Sequence, residues 1–138
     1  ETELNAFDNK VLGSAENLPF EDNSFDNVFC SFVWRNVSDT NNALNEVYRV
    51  LRPGGKFILL DMTRPKNSFL RMLHKIGTFK VLHLIGLITF NLKEYRFLYK
   101  SLDFYPQPEE HLNKHNFIDL KIERMGVFNF VYLAVFTK

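Results

Sequence analysis

The sequence predicts an α/β domain, an open sheet with parallel strands joined by a helical crossover and an antiparallel hairpin near the carboxyl end. Three observations predict it. A strand-forming run, an amphipathic helix, a Gly-Gly turn and a second apolar run follow one another between Phe25 and Met62. A βαβ unit of this kind lays its strands parallel through a right-handed connection. Further on, Ile118, Leu120 and Ile122 alternate with Asp119, Lys121 and Glu123 ahead of a last apolar run from Phe128 to Phe136, the period of a half-exposed strand and its partner. Finally, 138 residues with 46% hydrophobic content suit one domain that buries about two-thirds of its unfolded surface.

The elements follow in order. Residues Glu1 to Asn9 are polar and carry no clear signal, and Lys10-Val11-Leu12 reads as a strand end stopped by Gly13. Pro19 makes the next stretch a loop, and Glu21 to Ser24 a turn. Phe25 to Trp34 is rich in β-formers and reads as a buried strand, with Cys30 inside it as a small hydrophobe. Ser38 or Asp39 is a suitable N-cap, and Ala43, Leu44, Val47, Val50 and Leu51 form a helical apolar stripe. Pro53-Gly54-Gly55 ends that helix, because proline lacks a donor and glycine accepts positive φ. Lys56 to Met62 is the second buried strand. From Ser68 to Phe90 the apolar residues are dense enough for one or two helices, broken near Gly77 or Gly86. Asn91 to Leu102 is another helix, Glu109 to Asn116 a short one, and the hairpin turns across Met125-Gly126.

Composition narrows the function. A single cysteine excludes a disulfide framework and points to a reducing compartment. No secretory leader is visible at Glu1, and no apolar run reaches the roughly 18 residues of a spanning helix. No His/Cys/Asp cluster has the spacing of a metal site. The net charge of +1 hides an asymmetry, since residues 64–100 hold eight Lys and Arg against the single acid Glu94. No nucleic-acid module accompanies that basic segment. Its bases are interleaved with Leu, Ile and Phe, which fits an anionic membrane surface better.

Arg35 and Asn36 stand where the strand ending at Trp34 gives way to a loop. That is the edge of an open α/β sheet where ligands bind. The plainer alternative is that Arg35 closes a surface ion pair and Asn36 begins a turn. Three segments bear on the choice. Ser14-Ala15-Glu16-Asn17-Leu18-Pro19-Phe20 through Asp26 resembles the loop after strand 3 of class I S-adenosylmethionine methyltransferases. Arg49-Val50-Leu51-Arg52-Pro53-Gly54-Gly55-Lys56 resembles their turn into strand 5. Ser31-Phe32-Val33-Trp34-Arg35-Asn36-Val37 is similar to the Ser-Phe-Gly-Leu-Arg-Asn-Val signature of the ubiquinone/menaquinone C-methyltransferases. Tyr95-Arg96-Phe97-Leu98, Ser101 and Phe104-Tyr105-Pro106 resemble downstream elements of the same family.

The resemblance implies a Rossmann-like class I methyltransferase sheet, truncated and lacking strands 1 and 2. It runs from Val11 to Lys138 and leaves out the glycine-rich loop that cradles S-adenosyl-L-methionine. It also implies three portions: a cofactor-side βαβ part over 1–62, a helical lid over 63–105, and a C-terminal helix and hairpin over 106–138. Ser14, Ala15 and Ser31 then match cofactor contacts, although the family has Asp where Ser14 stands. Arg35 and Asn36 match the pair beside the aromatic substrate, a prenylated quinol. Phe32, Trp34 and Tyr95 are expected near that substrate, and Val33-Trp34 in place of Gly-Leu narrows the pocket. Arg stays protonated, so it stabilises a phenolate and is a poor base; the proton goes to water or to His74 or His83. The strand at Phe25–Trp34 is left with an open edge, which makes self-association an expectation. A cytoplasmic location peripheral to the inner membrane follows from the resemblance, on the matrix face in a eukaryote. The alternatives are a non-catalytic methyltransferase-like module that binds a membrane or partner, and a methyltransferase for another lipid-like acceptor.

Overall fold

The computed structural model describes residues 10–113 and 115–138. In chain order the elements are β1 (Phe25–Ser31), α1 (Thr40–Val50), β2 (Leu51–Met62), α2 (Ser68–Ile88), α3 (Leu92–Phe104), α4 (Pro108–His111), β3 (Asp119–Met125) and β4 (Val131–Thr137). The sheet has the order β1-β2-β4-β3. β1 and β2 are parallel, whereas β2–β4 and β4–β3 are antiparallel.

The crossover forms as its sequence requires. Asp39 caps α1 by accepting from the backbone amides of Asn41 and Asn42, which satisfies two of the helix's orphan donors. Ala43, Leu44, Val47 and Val50 are buried, the first three in one core with Phe57, Leu59, Ala134 and Phe136 of the sheet. Burying each such Val or Leu contributes roughly 1.5–3 kcal/mol. The loop before β1 is tied to this helix by Arg49, which donates to Asp22, Glu46 and the carbonyls of Leu18 and Phe20.

Several boundaries differ from the sequence reading. β1 stops at Ser31, three residues before Trp34, because Phe32 turns the chain at φ +57°. Nor is β1 buried on both faces: Phe29 is 71% exposed, and β1 pairs only with β2 among the described residues. β2 begins at Leu51, and the Pro53-Gly54-Gly55 turn lies within it as a loop-out. The ladder jumps from Phe25↔Leu51 to Asn27↔Lys56, with Gly54 at φ +79°, so the glycines bend a strand and do not precede one. Residues 10–12 are exposed and form no strand, having no neighbour to pair with among the described residues.

α2 runs unbroken through Gly77 and Gly86. Gly86 is there for close approach: a Cβ would lie 3.0 Å from Leu92 Cδ2 and 3.2 Å from Leu92 Cα, so α3 packs directly on the α2 backbone. The helix ends where Phe90 adopts φ +55°. α4 is shorter than the expected Glu109–Asn116 helix. It is fastened to β3 by Glu109, which accepts from Arg124 at 2.7 Å and pairs with Lys66 at 3.1 Å. The Arg124 hydrogen bond chiefly holds the Glu109 carboxyl down at about 2.

Candidate active site

The site is built where β1 and β2 end side by side at the carboxyl edge of the parallel pair. Phe32 donates its amide to the Leu60 carbonyl at 2.8 Å, the last rung of the ladder. Its positive φ, costly for an aromatic residue, swings the chain into a single 3-10 turn, Trp34–Asn36. Trp34 points inward and Arg35 points along the end of β2. Asn36 is exposed and its side chain has no partner among the described residues.

Asp61 organises this turn. It is fully buried on β2. Its Oδ2 accepts from the Arg35 amide at 3.2 Å, while Oδ1 accepts from Arg35 Nη1 and from the Met62 amide at 2.7 Å. The Arg35 side chain is only 7% exposed. A carboxylate this far from water needs such a full set of partners. Arg35 does close an ion pair, but a buried one and not the surface pair of the plainer sequence reading. Its Nε and Nη2 donors have no protein acceptor among the described residues, so half of the guanidinium fork is free for a ligand oxygen.

Around Asp61 lies a ring of polar atoms. Tyr132 sits directly opposite it in the β2–β4 register. The Tyr132 and Tyr105 hydroxyls, Thr63 Oγ1, Trp34 Nε1 and His111 Nε2 are buried without a hydrogen-bond partner among the described residues. Burial first, and the Asp61 charge second, push both tyrosine hydroxyls well above their ordinary range. The same two causes raise the Cys30 thiol to about 11. Both hydroxyls thus stay neutral, as donors, throughout the physiological range.

The expected residues are not all brought together. Ser31, Arg35 and Asn36 share the β1 edge. Phe32 is 42% exposed beside them. Trp34, expected to face substrate, is instead a core residue, 1% exposed with its ring 5.5 Å from that of Phe57; alternation through the turn sends it inward. Tyr95 lies elsewhere, in a cleft of about 170 Å³ between α2 and α3 with Phe79, Leu82 and Tyr99. Ser14 is exposed and Ala15 half-buried, in a loop closed by a Ser14–Asn17 bridge.

A second feature lies on the other face of β2. Met62, next to Asp61, opens a groove of about 400 Å³ that continues between Leu73, Val81, Leu98 and Leu102 of the helices and Phe128 and Phe130 of the hairpin. One polar ring, His74, lines it. Asp61 itself was missed in the sequence. The available signal was a carboxylate ending the apolar run Phe57-Ile58-Leu59-Leu60, since such a charge is rarely buried unless paired.

Parallel strands that deliver a basic turn to their carboxyl edge, then a helical insertion and an antiparallel hairpin, define the later portion of a class I methyltransferase. A solved structure supports the fold alone. It is a Thermotoga maritima protein described as a SAM-dependent methyltransferase, possible histamine N-methyltransferase, with a TM-score of 0.60 and 23% identity over 91% of this chain and 62% of that one. The family is shown by sequence. Residues 7–125 match the model of the ubiE/COQ5 methyltransferase family, and the chain belongs to that family. The ubiquinone/menaquinone biosynthesis C-methyltransferase UbiE of Rickettsia bellii (strain OSU 85-389) is 46% identical over 111 residues, covering 78% of this chain. That of Rickettsia felis is 43% identical over the same length. The chain spans 45% of the length of each.

Membership identifies S-adenosyl-L-methionine as the cofactor. The described residues fit only one flank of it. Ser31 is exposed at the end of β1 and Ser14-Ala15 stands in the preceding loop, but no glycine-rich strand-to-helix turn lies among these residues.

Proposed function

We propose that this chain is the substrate-side part of an enzyme that methylates a ring carbon of a prenylated quinol in ubiquinone or menaquinone biosynthesis. The observation that carries the proposal is Arg35, clamped by buried Asp61 with two guanidinium donors left over, beside the unpartnered carboxamide of Asn36. Attack by an aromatic carbon needs an electron-rich ring, which ionising the neighbouring phenol supplies, and both the phenol proton and the ring proton displaced by the methyl group pass to water. The free donors of Arg35 stabilise that phenolate in a site already poor in water. Asn36 fixes the ring's orientation by hydrogen bonding, and S-adenosyl-L-methionine supplies the methyl group. Ser14, Ala15 and Ser31 flank the cofactor, and Phe32 borders the ring. The apolar groove from Met62 to Leu98 takes the isoprenoid tail, with α2 and α3 as its lid. The test is a transfer assay on the complete reading frame, with radiolabelled S-adenosyl-L-methionine and a prenylated quinol. Label on the quinol ring is expected; label only on a sterol or fatty acyl acceptor, or none, overturns the reading.

The same helices suit a membrane surface. Phe69, Met72, Ile76, Leu84, Leu87 and Ile88 of α2 are exposed, among the bases of residues 64–100. An apolar face with basic flanks lies in the plane of an anionic interface, which would place the enzyme beside a lipid-dissolved substrate. Flotation with vesicles containing phosphatidylglycerol is expected to carry the protein upward, and neutral vesicles to carry much less. Equal, negligible flotation on both would refute this placement.

A further inference from the structure

Tyr95 and Arg96, which the quinol reading leaves unused, line the cleft of about 170 Å³ between α2 and α3. Phe79 and His83 form its α2 wall, Tyr95 and Tyr99 its α3 wall, and Lys100 stands beside Arg96. These walls are fixed in advance. His83 stacks on Phe79 with centroids 5.6 Å apart, and Phe79 meets Tyr99 edge-on at the same distance. Tyr99 is held in turn by Arg64, which is only 3% exposed and whose guanidinium carbon lies 4.8 Å over that ring. Arg64 also ties the two helices together through four hydrogen bonds. On α3 it donates from Nε to Asp103 at 2.9 Å and from Nη2 to the Tyr99 carbonyl at 3.2 Å. On α2 its Nη1 donates to Thr78 Oγ1 at 2.9 Å and to His74 Nδ1 at 3.3 Å.

The charge in this cleft is unmatched. Arg96 and Lys100 are four residues apart on α3, a spacing at which like charges repel. Neither forms an ion pair among the described residues. α2 carries no acid over its whole length. Of the two acids on α3, Asp103 is held by Arg64 and Lys75, and Glu94 does not line the cleft. The cleft also continues an apolar row. Helical spacing sets Phe79 and His83 in line with Met72, Ile76 and Leu87 of α2, and these three apolar side chains are exposed.

We propose that this cleft binds the phosphate of an anionic membrane phospholipid, with Arg96 and Lys100 as its counter-ions and the two tyrosines at headgroup depth. The inference rests on the membrane placement above and deepens it, replacing a diffuse attraction between bases and bilayer with one recognised group. Charge complementarity selects an anion, and an arginine with a lysine suits phosphate oxygens. The cleft is smaller than the roughly 300–1,000 Å³ that encloses a whole small molecule, so it takes the head of a ligand whose chains stay outside. The exposed row of α2 gives those chains an apolar surface, and tyrosine suits the level where lipid meets water.

The experiment is a nitrogen-15 titration of the complete protein with dihexanoylphosphatidylglycerol kept below its micelle concentration, so that no bilayer is needed. Saturable amide shifts are expected, concentrated in residues 79–83 and 92–100. Arg96→Gln with Lys100→Gln is expected to weaken binding by more than about tenfold, as for loss of two charge-assisted hydrogen bonds. Lys80→Gln with Lys93→Gln removes the same charge from the same helices outside the cleft, and is expected to leave affinity within about twofold, as for diffuse charge in salt. All four residues are exposed, and matched denaturant midpoints check that both variants fold. Equal losses in the two double variants overturn the proposal, because they mean diffuse attraction only, and so does the lack of saturable binding. Inorganic phosphate, which lacks the glycerol and acyl contacts, is expected to bind about tenfold more weakly; equal affinity overturns the lipid as occupant in favour of free phosphate. Vesicle flotation separates the two readings. Soluble lipid bound in the cleft without flotation refutes the membrane placement and leaves the site, whereas flotation that falls equally in both double variants refutes the site and leaves the placement.

Discussion

Asp61→Ala should cost about 3–5 kcal/mol of folding stability, the usual result of removing one member of a buried ion pair and stranding the other. The change leaves Arg35 as an uncompensated cation at 7% exposure and orphans the amides of Arg35 and Met62. Most domains have only 5–15 kcal/mol in total, so the loss would be visible as a large drop in denaturant midpoint of the complete protein. The companion double variant Arg35→Met with Asp61→Leu separates charge from fold. Replacing both partners by apolar residues of similar volume is often neutral for stability, so most of the midpoint should return while methyl transfer should not. A double variant as unstable as Asp61→Ala would show that the pair's cost lies in packing and not in charge.

Arg35→Lys has the second-largest expected effect, and on turnover more than on folding. Lysine keeps a cation opposite Asp61 but lacks the planar fork that serves Asp61 with one nitrogen and a substrate oxygen with the others. Loss of one preorganised donor to a developing oxyanion commonly lowers kcat by about 10²–10³. Turnover of the complete enzyme should therefore fall far more than tenfold, with cofactor affinity and denaturant midpoint little altered. Arg35→Ala is the poorer test, because it strands Asp61 and confounds catalysis with unfolding. Unchanged turnover in Arg35→Lys would remove the guanidinium from the mechanism.

Much of the fold could be read from local pattern because local physics decided it. Asp39 caps α1 as its side-chain chemistry predicts, and the apolar stripe from Ala43 to Val50 is buried as its spacing demands. Period two located β3, and the apolar run from Phe128 to Phe136 located β4, which begins only at Val131 after a 3-10 turn at Val127–Asn129. The misplaced boundaries lie where tertiary contact overrides local preference. Gly86 looked like a helix breaker, yet it is the point where Leu92 touches the α2 backbone. Gly54 and Gly55 looked like a turn before a strand, yet the ladder with β1 resumes around them. Within the site, Arg35 and Asn36 stood out through position and family resemblance, and Trp34 misled because a turn of three residues reverses which side chain faces out. Asp61 was invisible for a different reason. Its significance comes from pairing across 26 positions of sequence, and no window along the chain contains that.

The four bonds of Arg64 carry a mechanical consequence. One guanidinium belongs at the same time to the segment after β2, to α2 and to α3, so the two helices cannot splay apart without losing its two bonds to one of them. A ligand bulkier than the closed groove would consequently be threaded lengthwise, tip first, instead of being dropped in from above.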